Sequence, residues 1–328
     1  MQAAFYERTG PAREVLQWCE MPDPSPGDGE VRVRLLWSGV NPSDAKSRAG
    51  LRTSVLPFPR IIPHSDGMGV IDAVGFGVSP QRIGQRVWVW NAAWGRAFGT
   101  AAQYVVLAER QAVPLPAGVS DEAGACLGIP ALTALHAVLA NGGVAGRTVL
   151  VAGGAGAVGH YAVQFARLLG ARQVLATVSS PQKAALASAA GAHTVIDYCS
   201  EHVAERVREA TQGYGIDRII EVDIAANSAL DIEIIRPGGE CFVYGSGATP
   251  FTLPFSPLIV KNITLAFFMV YHLEDKDRQR AEGTLTDFLE RGVLVHNIAE
   301  RLPLADIAQA HEHIEQGKTI GNIVLAIP

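Results

Sequence analysis

Cysteine is scarce: the 328 residues hold four, Cys19, Cys126, Cys199 and Cys241, and no two lie closer than 42 positions. No CxxC pair or zinc-ribbon spacing can be built from neighbours, and the count argues equally against a disulfide framework. Charged residues make up only 18%, against 48% apolar, which is too little charge for a disordered polyampholyte and enough greasy surface for a large core. A basic excess is also lacking, since Lys+Arg 27 against Asp+Glu 32 leaves a formal charge of −5. With no Lys/Arg run either, a nucleic-acid footprint is not expected. The N-terminus carries Glu7, Arg8, Arg13 and Glu14 and has no apolar core of signal-peptide type, so a cytoplasmic protein is expected. Residues 123–140 have the length of a membrane span but are interrupted by Gly128, Pro130, Thr133 and His136. A buried helix preceded by a special turn is the expectation there.

At about 100 to 200 residues per domain the length predicts two domains. Glycine is plentiful, with 34 residues and no collagen-like period, which predicts tight turns and close backbone approaches. Before residues 120–125 the apolar period is 2: Val31, Val33 and Leu35 alternate with Arg32, Arg34 and Leu36, and residues 86–90 and 103–107 also read as strands. Segments rich in Pro and Gly at 22–29 and 57–63 punctuate this part, which reads as an antiparallel or mixed β domain. From Thr148 onward strands at 148–152, 174–178, 194–197, 217–222, 240–244 and 264–270 alternate with helical patterns. Alternation of that kind predicts a doubly wound parallel sheet. Helices at 278–291 and 306–316 and a strand at 322–327 complete the chain.

The strongest chemical signal is Thr148-Val149-Leu150-Val151-Ala152-Gly153-Gly154-Ala155-Gly156-Ala157-Val158-Gly159. It is an apolar strand that runs into GxGxxG at Gly154, Gly156 and Gly159 and then into an amphipathic helix. Glycines let backbone approach a pyrophosphate, whose charge the N–H groups and dipole of the next helix would hold. The alternative is a tight βα turn with no ligand. About 20 residues past the last glycine an acidic side chain would favour NAD. Here the chain reads Val178-Ser179-Ser180-Pro181-Gln182-Lys183, with hydroxyls and a lysine that can donate to a 2′-phosphate, so NADPH is expected. Alternatively, Ser180 is a helix N-cap and Lys183 a solvated surface residue.

Over essentially its whole length the sequence resembles the medium-chain dehydrogenase/reductase superfamily, and within it the zinc-independent NADPH:quinone oxidoreductases of the zeta-crystallin type. The residues that carry the resemblance are Ser38-Gly39-Val40-Asn41-Pro42-Ser43-Asp44, Ile83-Gly84-Gln85-Arg86-Val87, Gly128-Ile129-Pro130-Ala131-Leu132-Thr133-Ala134 and the glycine turn, with Gly191-Ala192, Asp197-Tyr198, Gly238-Gly239, Tyr244-Gly245-Ser246 and Ala310-His311. It implies an α/β fold with a GroES-like mixed β catalytic domain over 1–124 and 265–328 and a Rossmann cofactor domain over 125–264. It also implies a homodimer joined through the cofactor domains. Family positions for the adenosine 2′-phosphate fall on Lys183 and Tyr198. Those for the rest of the cofactor fall on Gly154, Ala155, Gly156, Ala157, Val158, Gly159, Thr133, Gly245, Ser246 and Asn322, while Ser179 and Ser180 stand with Lys183 as donors to the 2′-phosphate.

Zinc is not expected. In zinc-dependent relatives a cysteine follows the first Gly-Val, where this chain has Asn41, and their Gly-His-Glu corresponds to His64-Ser65-Asp66, which moves the histidine off the ligand position. The lobe for a four-cysteine structural zinc is missing as well. His64 then reads as a lone loop histidine, satisfied by a backbone partner or rimming the substrate cleft, and His160 as helix surface or cofactor-cleft wall. The expected reaction is hydride transfer to a quinone or similar conjugated carbonyl acceptor. Asn41 is the expected donor to the acceptor oxygen, alternatively a turn residue before Pro42. Thr133 and Ser246 are expected on the nicotinamide side, or as local hydroxyl caps. Family tyrosines that wall the acceptor pocket are replaced by Lys46 and Arg52, which predicts a more basic pocket. An NADPH-dependent alkenal or enone reductase, or a non-enzymatic NADPH-binding module, are the alternatives. The partners expected are a small-molecule acceptor and a second copy of the chain, with no nucleic acid and no membrane.

Overall fold

The computed structural model describes every residue except Lys318. The chain divides into two compact units, Met1–Ile129 with Thr286–Pro328, and Pro130–Leu285.

In the first unit β1 (Gln2–Phe5) and β2 (Gln17–Glu20) form an antiparallel ribbon. The larger sheet is organised by β3 (Glu30–Val40), whose Val31, Val33 and Leu35 point into the core while Arg32, on the other face, pairs with Asp72 at 2.9 Å. That is the period-2 pattern made physical. Antiparallel partners follow in β4 (Asp66–Val74), β5 (Arg86–Val89), β6 (Tyr104–Ala108) and β7 (Ala112–Pro114).

The second unit holds a six-stranded sheet of β8 (Thr148–Val151), β9 (Gln173–Val178), β10 (Thr194–Asp197), β11 (Ile216–Glu221), β12 (Ile235–Val243) and β13 (Thr264–Phe267). All pairings are parallel and the order is β10-β9-β8-β11-β12-β13. All four residues of β8 are buried, as a central strand covered by helices on both faces requires. The strand order reverses between β8 and β11, and in open α/β sheets the crevice at such a reversal is where ligands bind. This is the doubly wound fold expected. Residues 265–285 group with this unit because β13 continues the ladder from Glu240↔Thr264 to Val243↔Phe267, and because Arg280, in the helix Asp275–Glu290, donates to Leu139 O at 3.3 Å.

The end of the chain returns to the first unit, where β14 (Ile298–Pro303) lies parallel on β15 (Asn322–Ala326) and β15 lies antiparallel on β3. Residues 123–140 form a π-helical turn, Leu127–Ala131, followed by the helix Leu132–Leu139. Among the described residues no helix is long and apolar enough to cross a membrane.

Candidate active site

In the cofactor unit, β8 leads through Ala152, whose N–H donates to Ile220 O at 3.0 Å, into the glycine turn. A Cβ on Gly154 would lie 2.6 Å from that of Ala176, and one on Gly159 would lie 2.1 Å from Gly153 O; only glycine fits at either place. Gly156 begins the helix Ala157–Leu168 and no side chain caps it. The first-turn amides, with Ala155, Ala157 and Val158 around them, thus keep their affinity for an anion. Thr177 Oγ1 accepts the Gly153 N–H at 3.2 Å and so ties the turn to β9, a role the sequence reading missed.

Past the end of β9, Lys183 Nζ donates to Ser179 Oγ at 2.8 Å, and Ser180 Oγ accepts the Lys183 N–H at 3.3 Å as N-cap of the helix Pro181–Ala189. Ser179 and Lys183 are therefore brought together, while Ser180 spends its hydroxyl on the cap. Tyr198 is exposed, with its N–H on Val178 O at 3.0 Å, next to the same strand end. No carboxylate occupies residues 178–183. Gly245 and Ser246 follow β12; Ser246 Oγ donates to Ala248 O at 2.7 Å. Thr133 is 4% exposed in its helix.

In the first unit, Asn41 sits where β3 turns into the helix Pro42–Arg48. Its backbone N–H donates to Asp44 Oδ2 at 2.8 Å, and its side-chain Nδ2 donates to Asp66 Oδ2 at 2.9 Å. The β3–β4 register opposes Gly39 to Asp66, which carries Asp66 to the foot of the Asn41 turn. The same Oδ2 accepts the Ile129 N–H at 2.9 Å, so one buried carboxyl joins the Asn41 turn to the segment that precedes Pro130. Burial, with Asp44 adding to it, holds the Asp66 carboxyl well above the usual carboxylate range. Burial likewise pushes Asp44 up to about 7, against the pull of the Asn41 N–H and of Arg52. Lys46 and Arg52 are both exposed.

His64 is fully buried and has side-chain rather than backbone partners. Its Nδ1 is 2.9 Å from Ser38 Oγ and its Nε2 is 2.9 Å from His311 Nε2, so it is neither alone nor at a rim. Burial lowers it to about 3, and burial with His64 beside it lowers His311 well below the usual imidazole range. Asn322 is buried, its Nδ2 donating to Asn297 O at 3.0 Å. His160 is 2% exposed and hydrogen-bonded to Gln164, a core residue rather than a surface one. Among the described residues no three His, Cys, Asp or Glu side chains are grouped to hold a metal ion.

Residues 27–117 match the model of the alcohol dehydrogenase GroES-like domain, and residues 157–290 match that of the zinc-binding dehydrogenases. A 2-haloacrylate reductase from Burkholderia sp. is 32% identical over 99% of this chain and 98% of its own. The quinone oxidoreductase of Pseudomonas aeruginosa is 32% identical over 95% of each chain. Among solved structures, an NAD-dependent alcohol dehydrogenase superimposes with a TM-score of 0.91 at 30% identity over 100% of both chains. The Escherichia coli quinone oxidoreductase complexed with NADPH gives 0.87 at 26%, over 99% of this chain and 100% of the other.

Proposed function

The chain belongs to the medium-chain dehydrogenase/reductase family, and we propose that within it the protein is a zinc-independent, NADPH-dependent reductase whose acceptor is a quinone or a similar conjugated carbonyl compound. The observation that carries this reading is the hydrogen bond from Asn41 to the buried Asp66. It orients an amide at the residue that corresponds to a metal-ligand cysteine of zinc-dependent relatives. The cofactor residues fit NADPH: glycines that no other residue could replace, a helix N-terminus without a side-chain cap, and the Ser179–Lys183 pair in a stretch, 178–183, that contains no carboxylate.

NADPH, when bound, supplies the hydride. Asn41 offers its second Nδ2 hydrogen to the acceptor oxygen on which charge develops. Asp66 fixes the rotamer of that amide, and Asp44 holds the turn from the backbone side. A quinone delocalises the incoming charge, so a neutral donor suffices where an isolated ketone would need a Lewis acid.

Lys46 and Arg52 follow Asn41 on exposed positions and favour a second reading, a conjugated acceptor that carries a carboxylate. The 2-haloacrylate reductase among the relatives agrees with that reading. NADPH oxidation measured with neutral quinones, anionic quinones, enones and 2-haloacrylates ranks the two. Turnover with none of them while NADPH still binds overturns both.

The partner in solution is a second copy of the chain. β13 is the terminal strand of its sheet, and Phe267 on it, with Phe255, Ile259 and Val260 of the preceding helix, is more than half exposed. An unpaired edge flanked by such side chains favours pairing. The four cysteines are unpaired, in keeping with a reducing cytoplasm.

A further inference from the structure

Glu221 closes β11 beside the glycine turn and is fully buried, and Asp231, on the helix Ile224–Ile234, is 4% exposed. Glu221 Oε1 accepts the Asp223 N–H and the Asn227 Nδ2 hydrogen, the latter at 2.9 Å. Glu221 Oε2 and Asp231 Oδ2 are buried and receive no N–H or hydroxyl donor, and the two carboxyl groups lie within hydrogen-bonding reach of each other. Two carboxyl groups in such reach can bond only through a proton, and one proton can satisfy both. The other titratable groups facing the pair are Asp223 from the turn, Cys241 from β12 and Tyr244 just beyond it, none of them cationic; burial and the nearby carboxylates push that thiol and phenol up.

From Glu221 the connection runs outward to the loop after β12. Asp223, tied by its N–H to Glu221, accepts the Gly247 N–H on Oδ1 at 2.7 Å. The Tyr244 N–H donates to Glu221 O at 3.1 Å, and Val222 O lies so close to Gly245 that a Cβ there would stand 2.1 Å from it. Residues 244–247 are thus seated on the Glu221 turn from both ends.

We propose that Glu221 and Asp231, sharing one proton, are positioning residues that fix the Gly245–Ser246 loop for the nicotinamide half of NADPH. The inference rests on the reading of this unit as the NADPH site. Losing the shared proton sets two buried negative charges against each other, and Glu221 can relieve that only by moving with Asp223 and the loop seated on it. Burial and Glu221 push Asp231 up to about 9, so the pair keeps its proton at neutral pH. An asparagine at 231 donates permanently to Glu221 and has no proton to lose.

The test is equilibrium binding of NADPH and, separately, of 2′,5′-ADP, which carries only the adenosine half. Nicotinamide fluorescence and calorimetry are the readouts, from pH 7 to pH 10, on the wild type, Asp231→Asn and Asp231→Ala. The wild type is expected to lose about tenfold in NADPH affinity between pH 8 and pH 10 beyond any loss of 2′,5′-ADP affinity, and Asp231→Asn to abolish that excess loss. Asp231→Ala is expected to weaken NADPH about tenfold at every pH while 2′,5′-ADP binding is kept. The same pH dependence in Asp231→Asn as in the wild type overturns the inference, and so does an Asp231→Ala that binds both ligands equally weakly. A wild type that binds neither ligand overturns the cofactor assignment itself.

Discussion

Asn41 and Asp66 meet at 2.9 Å with neither residue more than 4% exposed. Because burial favours the protonated carboxyl and Oδ2 accepts from both Asn41 and Ile129, an asparagine at 66 can accept the same two bonds through its carbonyl. Asp66→Asn should retain kcat/KM to within about threefold. Asn41→Ala, which deletes the proposed donor to the acceptor oxygen, should lower kcat/KM by roughly 10² while KM for NADPH holds. Steady-state kinetics on both variants checks this; an Asn41→Ala enzyme of unchanged kcat/KM removes Asn41 from the chemistry.

In the proposed NADPH site Lys183, anchored on Ser179 at 2.8 Å, is the residue that would meet the 2′-phosphate. Losing one charge-assisted contact costs about 1.5 to 3 kcal/mol, so Lys183→Ala should bind NADPH about 10- to 100-fold more weakly and NADH as before. Equal wild-type affinities for the two cofactors would refute the assignment.

Asp44 gives stability a definite sign with pH. Its folded value of about 7 lies above the ordinary 3.8, so the folded state holds more protons than the unfolded one between those values. Stability therefore falls as pH rises from about 4 to about 7 and levels off above. Asp44→Asn carries no such proton. Its Tm minus that of the wild type should climb by about 5 °C across that window and then stay flat. His64, lowered to about 3, gives the opposite slope, but it does so in both proteins and cancels. A difference independent of pH would show that Asp44 ionises normally.

How far the sequence reaches depends on whether partners are close along the chain. β8 and the glycine turn were readable because a continuous apolar run, a steric requirement at Gly159 and a helix start follow one another within a dozen residues. Lys183 and Ser179 are four apart and meet in one turn. His64 and His311 are 247 positions apart, and nothing local marks either as the other's partner; His64 even takes a left-handed backbone, φ 76°, uncommon outside glycine. The Asn41–Asp66 bond depends on the β3–β4 register across 25 residues, which alternation alone does not fix. Motif reading thus found both positions as counterparts of metal ligands but not what they do for each other.

Lys46 and Arg52 should act on anionic acceptors by long-range attraction. With an anionic quinone, Lys46→Tyr and Arg52→Tyr should each raise KM several-fold at low ionic strength. The effect should fade as the Debye length falls toward about 10 Å at 0.1 M salt. Neutral quinones should show neither change. A salt-insensitive KM for anionic quinones in the wild type would place the two cations outside the acceptor's reach.

The proposed site uses an amide held by a buried carboxyl where zinc-dependent relatives use a metal. Its most direct test is the rate of NADPH oxidation by a simple quinone, measured on protein stripped by exhaustive chelation and shown by metal analysis to be free of zinc. Turnover equal to that of the untreated enzyme and unaffected by added zinc is the expected result. Loss of turnover on chelation, restored by zinc alone, would contradict it.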